Sequence, residues 1–249
     1  MSMNSINGMP MGNSPARARA HEALYRLAAA ALSHPIPELH EAFADGRFHA
    51  SFDDAWSAVT GRHWPQSPTS TDFAELESGY IDMFLHGRRG QPRVDLMAGA
   101  HDNLRGGVTR PVFMLNVQAF YRHFDLRPAT GDEGRSDEPD HVATMLEFMA
   151  VLHHLEAQAL ERGADPGPYL RAQRDFLQRY LLPLMQAIQQ GVSAETRVAL
   201  DANLLRLIED LPQRLRQQLV ELEARVGQGE RSLESQPDEP RLVAQNLWS

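Results

Sequence analysis

Residues 138–163 read EPDHVATMLEFMAVLHHLEAQALERG, and this stretch decides the fold class. Pro139 stands where a first helical turn tolerates a residue without an N–H. Behind it Val142, Met145, Leu146, Met149 and Leu152 supply apolar contacts at helical spacing, and no Gly or Pro interrupts the run before Gly163. The expectation is one long helix from Pro139 to about Gly163. Asp140, Thr144, Glu147 and His154 fall near a single line along it, because seven residues bring a helix back to almost the same angle. A polar stripe of this kind is either a solvated face or the lining of a groove for a polar or basic ligand.

Working outward, helical patterns recur on both sides. Pro15 to Ser33 carries Leu24, Leu27, Ala28, Ala31 and Leu32 along one side, and His34-Pro35-Ile36-Pro37 stops it. Short helices are expected at 37–45 and 51–60, then a Pro/Ser-rich loop from Gly61 to Ser70. Thr71 or Asp72 caps the next helix, with Glu75 as capping-box partner and Phe73, Leu76, Tyr80, Met83 and Phe84 at helical spacing. Residues 87–107 form a long irregular segment, and loops of that length inside a domain are often functional. Helices follow at Thr109–Leu126, at Pro168–Gln190 with a kink at Pro183, and at Ala194–Val226 with a break at Leu211-Pro212. The chain is thus expected to be all-α: a single compact multi-helix bundle over 15–226, a disordered leader at 1–14 and a flexible tail at 227–249. Leu242, Val243, Leu247 and Trp248 give that tail a few apolar anchors.

Composition removes whole classes of chemistry. The chain has 249 residues, no Cys and a formal net charge of -9. Without Cys there is no disulfide, thiolate metal site or cysteine nucleophile. Lys is absent too, so all 24 basic residues are Arg, which excludes a phosphate-loop lysine and a Schiff-base lysine. An acidic surface repels phosphate backbones, so nucleic acid is not the expected partner. No stretch approaches the ~20 apolar residues that span a bilayer. Arg17 and Arg19 precede an amphipathic helix rather than the apolar core of a secretory signal, so the expected compartment is the cytoplasm.

Glu138-Pro139-Asp140-His141 sits where a loop becomes a helix, a place that favours carboxylates near unpaired amides. One reading makes Asp137 or Glu138 an N-cap and His141 a first-turn surface residue. The other makes these groups a contact site. Glu138 and His141 also spell Glu-x-x-His, but no second such pair exists to complete a di-iron site. His153 and His154 point about 100° apart and cannot converge on one ion. No nucleophile elbow or dinucleotide fingerprint occurs. No metal, cofactor or catalytic residue is therefore assigned.

These residues resemble the TorD/DmsD/NarJ type of redox-enzyme maturation chaperone. The hallmark of that family is a Glu-Pro-Asp-His-like motif opening a long helix, followed by Glu, an aromatic and Met, as in Glu147-Phe148-Met149 here. An upstream aromatic-x-x-Leu-Phe element is similar to Tyr80-Ile81-Asp82-Met83-Phe84, with Met in place of Leu. Val117–Leu126, with Phe120-Tyr121-Arg122-His123-Phe124, is similar to the segment before the hallmark. The resemblance spans roughly residues 70–190. The intervening loop departs from the family: Asp95-Leu96-Met97-Ala98-Gly99-Ala100-His101 replaces a Pro/Tyr/Glu-containing stretch. That departure resembles the branch serving type II enzymes of the dimethyl sulfoxide reductase family.

The resemblance implies a cytoplasmic chaperone that is not an enzyme. Its partner would be the apo catalytic subunit of a molybdopterin-dependent oxidoreductase, often bound at a twin-arginine signal peptide until the cofactor is inserted. Glu138, Pro139, Asp140, His141 and Glu147 would line the client-binding region, with Tyr80 and Phe84 beside it. Such a receptor needs carboxylates next to an apolar groove. The competing readings are a structural subunit of a redox complex and a nucleotide- or metal-binding helical protein. Either a monomer or a helix-exchanged dimer fits.

Overall fold

Helix α6 (Val142–Glu161) buries residues on almost every side, from Val142 and Met145 to Phe148, Leu152 and Ala159. A helix that is apolar nearly all round belongs at the centre of a fold, and here it does. The computed structural model describes residues 14–87, 89–127 and 138–234, with side chains as far as Gly227. The leader at 1–13, the polar loop at 128–137 and the segment holding Leu242 to Trp248 lie outside the described residues.

Helix α1 (Pro15–Leu32) lies along α6 in the most extensive pairing of the chain. The two run antiparallel: Arg19 near the start of α1 bonds Glu161 at the end of α6, and Glu22 meets His154. Buried alanines on both helices, among them Ala28, Ala31, Ala150 and Ala157, have no bulk to hold the backbones apart. Helix α3 (Arg47–Thr60) packs on the other flank of α1, and α2 (Pro37–Ala44) links them while touching α4 (Phe73–Phe84). On the far side of α6 come α7 (Gly167–Phe176), α8 (Leu182–Ala194) and α9 (Ala202–Glu234). Helix α5 (Arg110–His123) closes that side through an aromatic cluster, in which Tyr121 and Phe176 each lie 4.7 Å from Phe148 between ring centres. Among the described residues no strand forms, and one isolated antiparallel bridge joins Met97 to His141. The all-α architecture is as expected.

Several boundaries follow the sequence signals. Ser14 caps α1 by accepting from the Arg17 N–H at 3.2 Å, and the Pro35/Pro37 pair follows its end at Leu32. Asp72 caps α4 by accepting from the Glu75 N–H, while Glu75 accepts in return from the Thr71 N–H at 2.6 Å. The Gly61–Ser70 loop has no regular structure, yet Trp64 within it is only 2% exposed and donates to Asp210 at 3.1 Å.

Other boundaries differ, each for a local reason. Helix α3 starts at Arg47, not residue 51: Asp45 accepts from the Arg47 N–H at 2.9 Å, and Phe48 meets Phe43 edge-to-face and stacks on Phe52. Gly46, at φ 80, makes the left-handed step before it. Helix α6 opens at Val142 rather than Pro139, with His141 as N-cap. Pro183 is accommodated by a π turn at Leu177–Leu181, in which the Leu182 N–H bonds the Leu177 carbonyl. Residues 195–201 form a linker, so the last helix starts at Ala202 instead of Ala194. It does not break at Pro212 and runs past Val226 to Glu234. Leu207, Ile208, Leu211 and Leu215 bury on both sides of that proline, and Gln189 of α8 donates at 2.7 Å to the Glu209 carbonyl beneath it. Packing on both sides offsets what the missing N–H costs.

Trp64→Ala is expected to lower stability by about 3–5 kcal/mol in urea denaturation, because it empties a full pocket and orphans Asp210. Exposed Gln66→Ala, two residues away, should stay within about 0.5 kcal/mol.

Candidate functional site

The turn that leads into α6 is tied to the 94–101 loop by main chain. The Ala98 N–H donates to the Asp140 carbonyl and the Val142 N–H to the Leu96 carbonyl, both at 2.9 Å. Tyr121 on α5 donates its hydroxyl to the Pro139 carbonyl at 2.6 Å. Burial, reinforced by the charges of Asp140 and Glu147, raises the Tyr121 pKa well above its ordinary value, so this donor keeps its proton. Asp140 itself is 0% exposed. Its Oδ2 accepts from the Gly99 N–H at 2.8 Å, and Oδ1 has no hydrogen-bond partner among the described residues. His141 accepts from the Ala143 N–H through Nδ1 at 3.2 Å, so it is the N-cap itself rather than a first-turn residue.

Beside this turn a groove of about 1180 Å³ runs between α1 and α6, with α2 as its second bank. Leu27 and Ala30 of α1, Leu39 and Ala42 of α2, Phe48 of α3, and Ala150 and Val151 of α6 give it an apolar lining. Among the described residues, Glu22, Glu38, Glu138 and Glu147 supply four carboxylates to its lining and Arg26 a guanidinium. His34, His141 and His154 also border it. At the Glu22 end the charge is largely balanced. Arg19 and Arg26 lie 2.9 and 3.6 Å from Glu22, and His154 lies 3.1 Å from it. Burial opposes ionisation of Glu22, but the hydrogen bonds from Arg19 and His154 outweigh it and lower its pKa. Among the described lining residues, Glu38 and Glu138 lie away from that cluster.

The groove therefore gathers Glu138, His141 and Glu147 of the anticipated residues, along with Thr144 and His154 of the polar stripe. It does not gather Pro139, Asp140, Tyr80 or Phe84. Pro139 and Asp140 are buried under the entry turn. Tyr80 is 2% exposed and donates to the Leu32 carbonyl at 3.1 Å, satisfying the end of α1. Phe84 packs against Tyr80 at 5.1 Å in the core.

Residues of α1 and α2 were not anticipated at the site. Glu22 and Arg26 read in sequence as the solvated side of an amphipathic helix. Ile36, 54% exposed on the groove's edge, was a visible signal: an isolated apolar residue between two prolines. His153 and His154 do diverge as their spacing requires, His153 into a buried polar network and His154 into the groove.

Gly99 allows the close approach on which the entry turn depends. A Cβ there would lie 2.6 Å from Asp140 Oδ2 and 3.0 Å from Arg110 Cγ. Gly99→Ala and Asp140→Ala are each expected to cost about 1–3 kcal/mol of stability in chemical denaturation. Glu147→Gln, at the half-buried groove wall, should leave the melting temperature within a degree or two.

Comparison with known proteins places this geometry. The family model described as nitrate reductase delta subunit matches residues 23–189, from within α1 to within α8. The dimethyl sulfide dehydrogenase assembly chaperone protein of Rhodovulum sulfidophilum is 50% identical over 235 residues, covering 94% of each chain. The perchlorate reductase assembly chaperone protein of Dechloromonas aromatica (strain RCB) is 27% identical over 215 residues, covering 83% of this chain and 93% of its own. The selenate reductase assembly chaperone protein of Thauera selenatis is 31% identical over 140 residues, 56% of this chain and 68% of its own. No solved structure matches. The resemblance read from the Glu138–His141 motif is met, and the chain belongs to the nitrate reductase delta subunit family, of the NarJ/TorD type.

Proposed function

We propose that the protein is a dedicated assembly chaperone for one molybdenum-dependent oxidoreductase, and that it works by holding a polypeptide rather than by catalysis. The relatives named as assembly chaperones support this, above all the one matching over 94% of both chains. The client is the apo catalytic subunit of an enzyme of the dimethyl sulfide dehydrogenase kind. The observation that carries the reading is the groove: apolar along its length, with Glu38, Glu138 and Glu147 toward one end. A twin-arginine signal peptide has the complementary layout, with guanidiniums beside an apolar stretch. Its arginines lie toward Glu38 and Glu138, and its apolar part lies along Leu27, Ala30 and Val151. Holding occurs in the cytoplasm, before cofactor insertion and export. No helix among the described residues is long and apolar enough to cross a membrane, which agrees with that setting.

Purified protein should bind the cofactor-free catalytic subunit at least tenfold more tightly than the cofactor-loaded one, measured by anisotropy of labelled chaperone. Equal affinity for both forms would overturn the chaperone reading in favour of a permanent structural subunit. Glu138→Gln with Glu147→Gln should weaken binding of the apo subunit and of a synthetic twin-arginine peptide at least fivefold, most strongly at low salt. Undiminished binding by that variant would move the site elsewhere.

A further inference from the structure

Opposite the groove, the α1–α6 seam carries a second polar feature, buried and shared with α7 and α9. Tyr25 donates its hydroxyl to Gln218 Oε1 at 2.8 Å, and the Gln218 amide nitrogen lies 2.9 Å from His153 Nε2. His153 Nδ1 lies 3.1 Å from Glu156 Oε2, which also accepts from Gln173 at 2.9 Å. This chain of bonds has one consistent direction. Tyr25 gives a proton to the Gln218 oxygen, so the Gln218 nitrogen faces His153 as a donor. In that arrangement His153 accepts at Nε2 and donates from Nδ1 to the carboxylate. His21 stacks on it with ring centres 4.7 Å apart and planes 11° apart, and its buried Nδ1 has no hydrogen-bond partner among the described residues.

The cations near this site oppose an extra proton on His21. From α9, Arg214 and Arg225 are present; Arg214 makes a bidentate pair with Glu221 of the same helix at 3.0 and 3.1 Å, and Arg225 pairs with Glu156 of α6. Arg17 of α1 shares Glu221 at 2.9 Å. Tyr25 of α1 is phenolic and α7 contributes the uncharged Gln173. Both carboxylates are therefore already committed to guanidiniums. An imidazolium at His21 would be buried against the His153 ring and close to Arg214, Arg17 and Arg225.

We propose that the stacked His21–His153 pair is a proton-sensitive latch that holds the second half of α9 on the α1–α6 seam and releases it on acidification. The direction of the His21 titration agrees: burial first, then the charges of His153, Arg214, Arg17 and Arg225, lowers its pKa well below the ordinary 6.5. A histidine with a depressed folded pKa contributes stability that is complete above about pH 6.5 and is lost as pH falls below it. Glu156, held near 2 against burial by His153, Arg225 and Gln173, loses its contribution only below about 4.5, so it does not interfere. The latch bears on the groove because Glu22, Arg26 and His154 occupy the same turns of α1 and α6 as His21, Tyr25 and His153. Loosening one face of these turns loosens the other.

Hydrogen–deuterium exchange on the full chain at pH 7.5 and 5.5, expressed as protection relative to the intrinsic rate at each pH, tests this. Residues 214–226 should lose at least tenfold protection at pH 5.5, while α3 keeps its own. His153→Gln retains a donor and an acceptor without a titratable ring, and His21→Phe retains the stack; in the double variant the pH response should vanish. Unchanged protection of 214–226 in the wild type overturns the proposal, as does a loss shared equally by α3. A double variant that folds and still shows the wild-type pH response overturns it as well.

Discussion

The antiparallel seam between α1 and α6 is the interaction on which the remainder of the molecule rests. Small residues let the two helices lie close, and each presents a different chemistry on its two flanks. On one flank, Leu27, Ala30, Ala150 and Val151 open into the groove, with carboxylates at its borders. On the other, His21, Tyr25, His153 and Glu156 bury against α9. A chain segment held in the groove would thus touch the two helices that organise the whole bundle.

The second constraint is the entry turn of α6. Asp140 does not reach toward a ligand; it reaches back to the Gly99 amide and fixes the loop that precedes α5. This gives the Glu-Pro-Asp-His stretch a division of labour. Pro139 and Asp140 hold the turn, through Tyr121 and Gly99, while Glu138 and His141 border the groove. A buried carboxylate whose hydrogen bonding is incomplete is costly to place, and the backbone pairings around it offset that cost. The loop at 95–101, which departs from the family pattern, is the partner of this turn. Its sequence reads as a packing solution, with Gly99 the residue that permits contact.

Much of the fold was legible because helix signals are local. The proline cluster after Ser33, the Asp72–Glu75 capping box and the uninterrupted run behind Pro139 each act within a few residues, and each appears where expected. Pro212 misled because its lost bond is offset by tertiary packing, through the buried apolar residues on both sides of it. The site was half legible. Glu138, His141 and Glu147 follow from the motif and the stripe, but nothing near Asp140 in sequence indicates that its side chain turns inward. Apart from the isolated Ile36, the α1 and α2 bank left no trace, for a simpler reason. Glu22 and His154 are separated by 132 positions, and pairings at that range leave no periodic trace.

The central claim is that a client segment lies in the α1–α2–α6 groove. Photo-cross-linking tests it most directly, with benzoylphenylalanine placed singly at Ala30, Ala42 or Val151, and at the exposed Val220 of α9 as a distant control. With the cofactor-free catalytic subunit present, covalent adducts should form from the three groove positions and not from Val220. Adducts from Val220 with none from the groove would contradict the account.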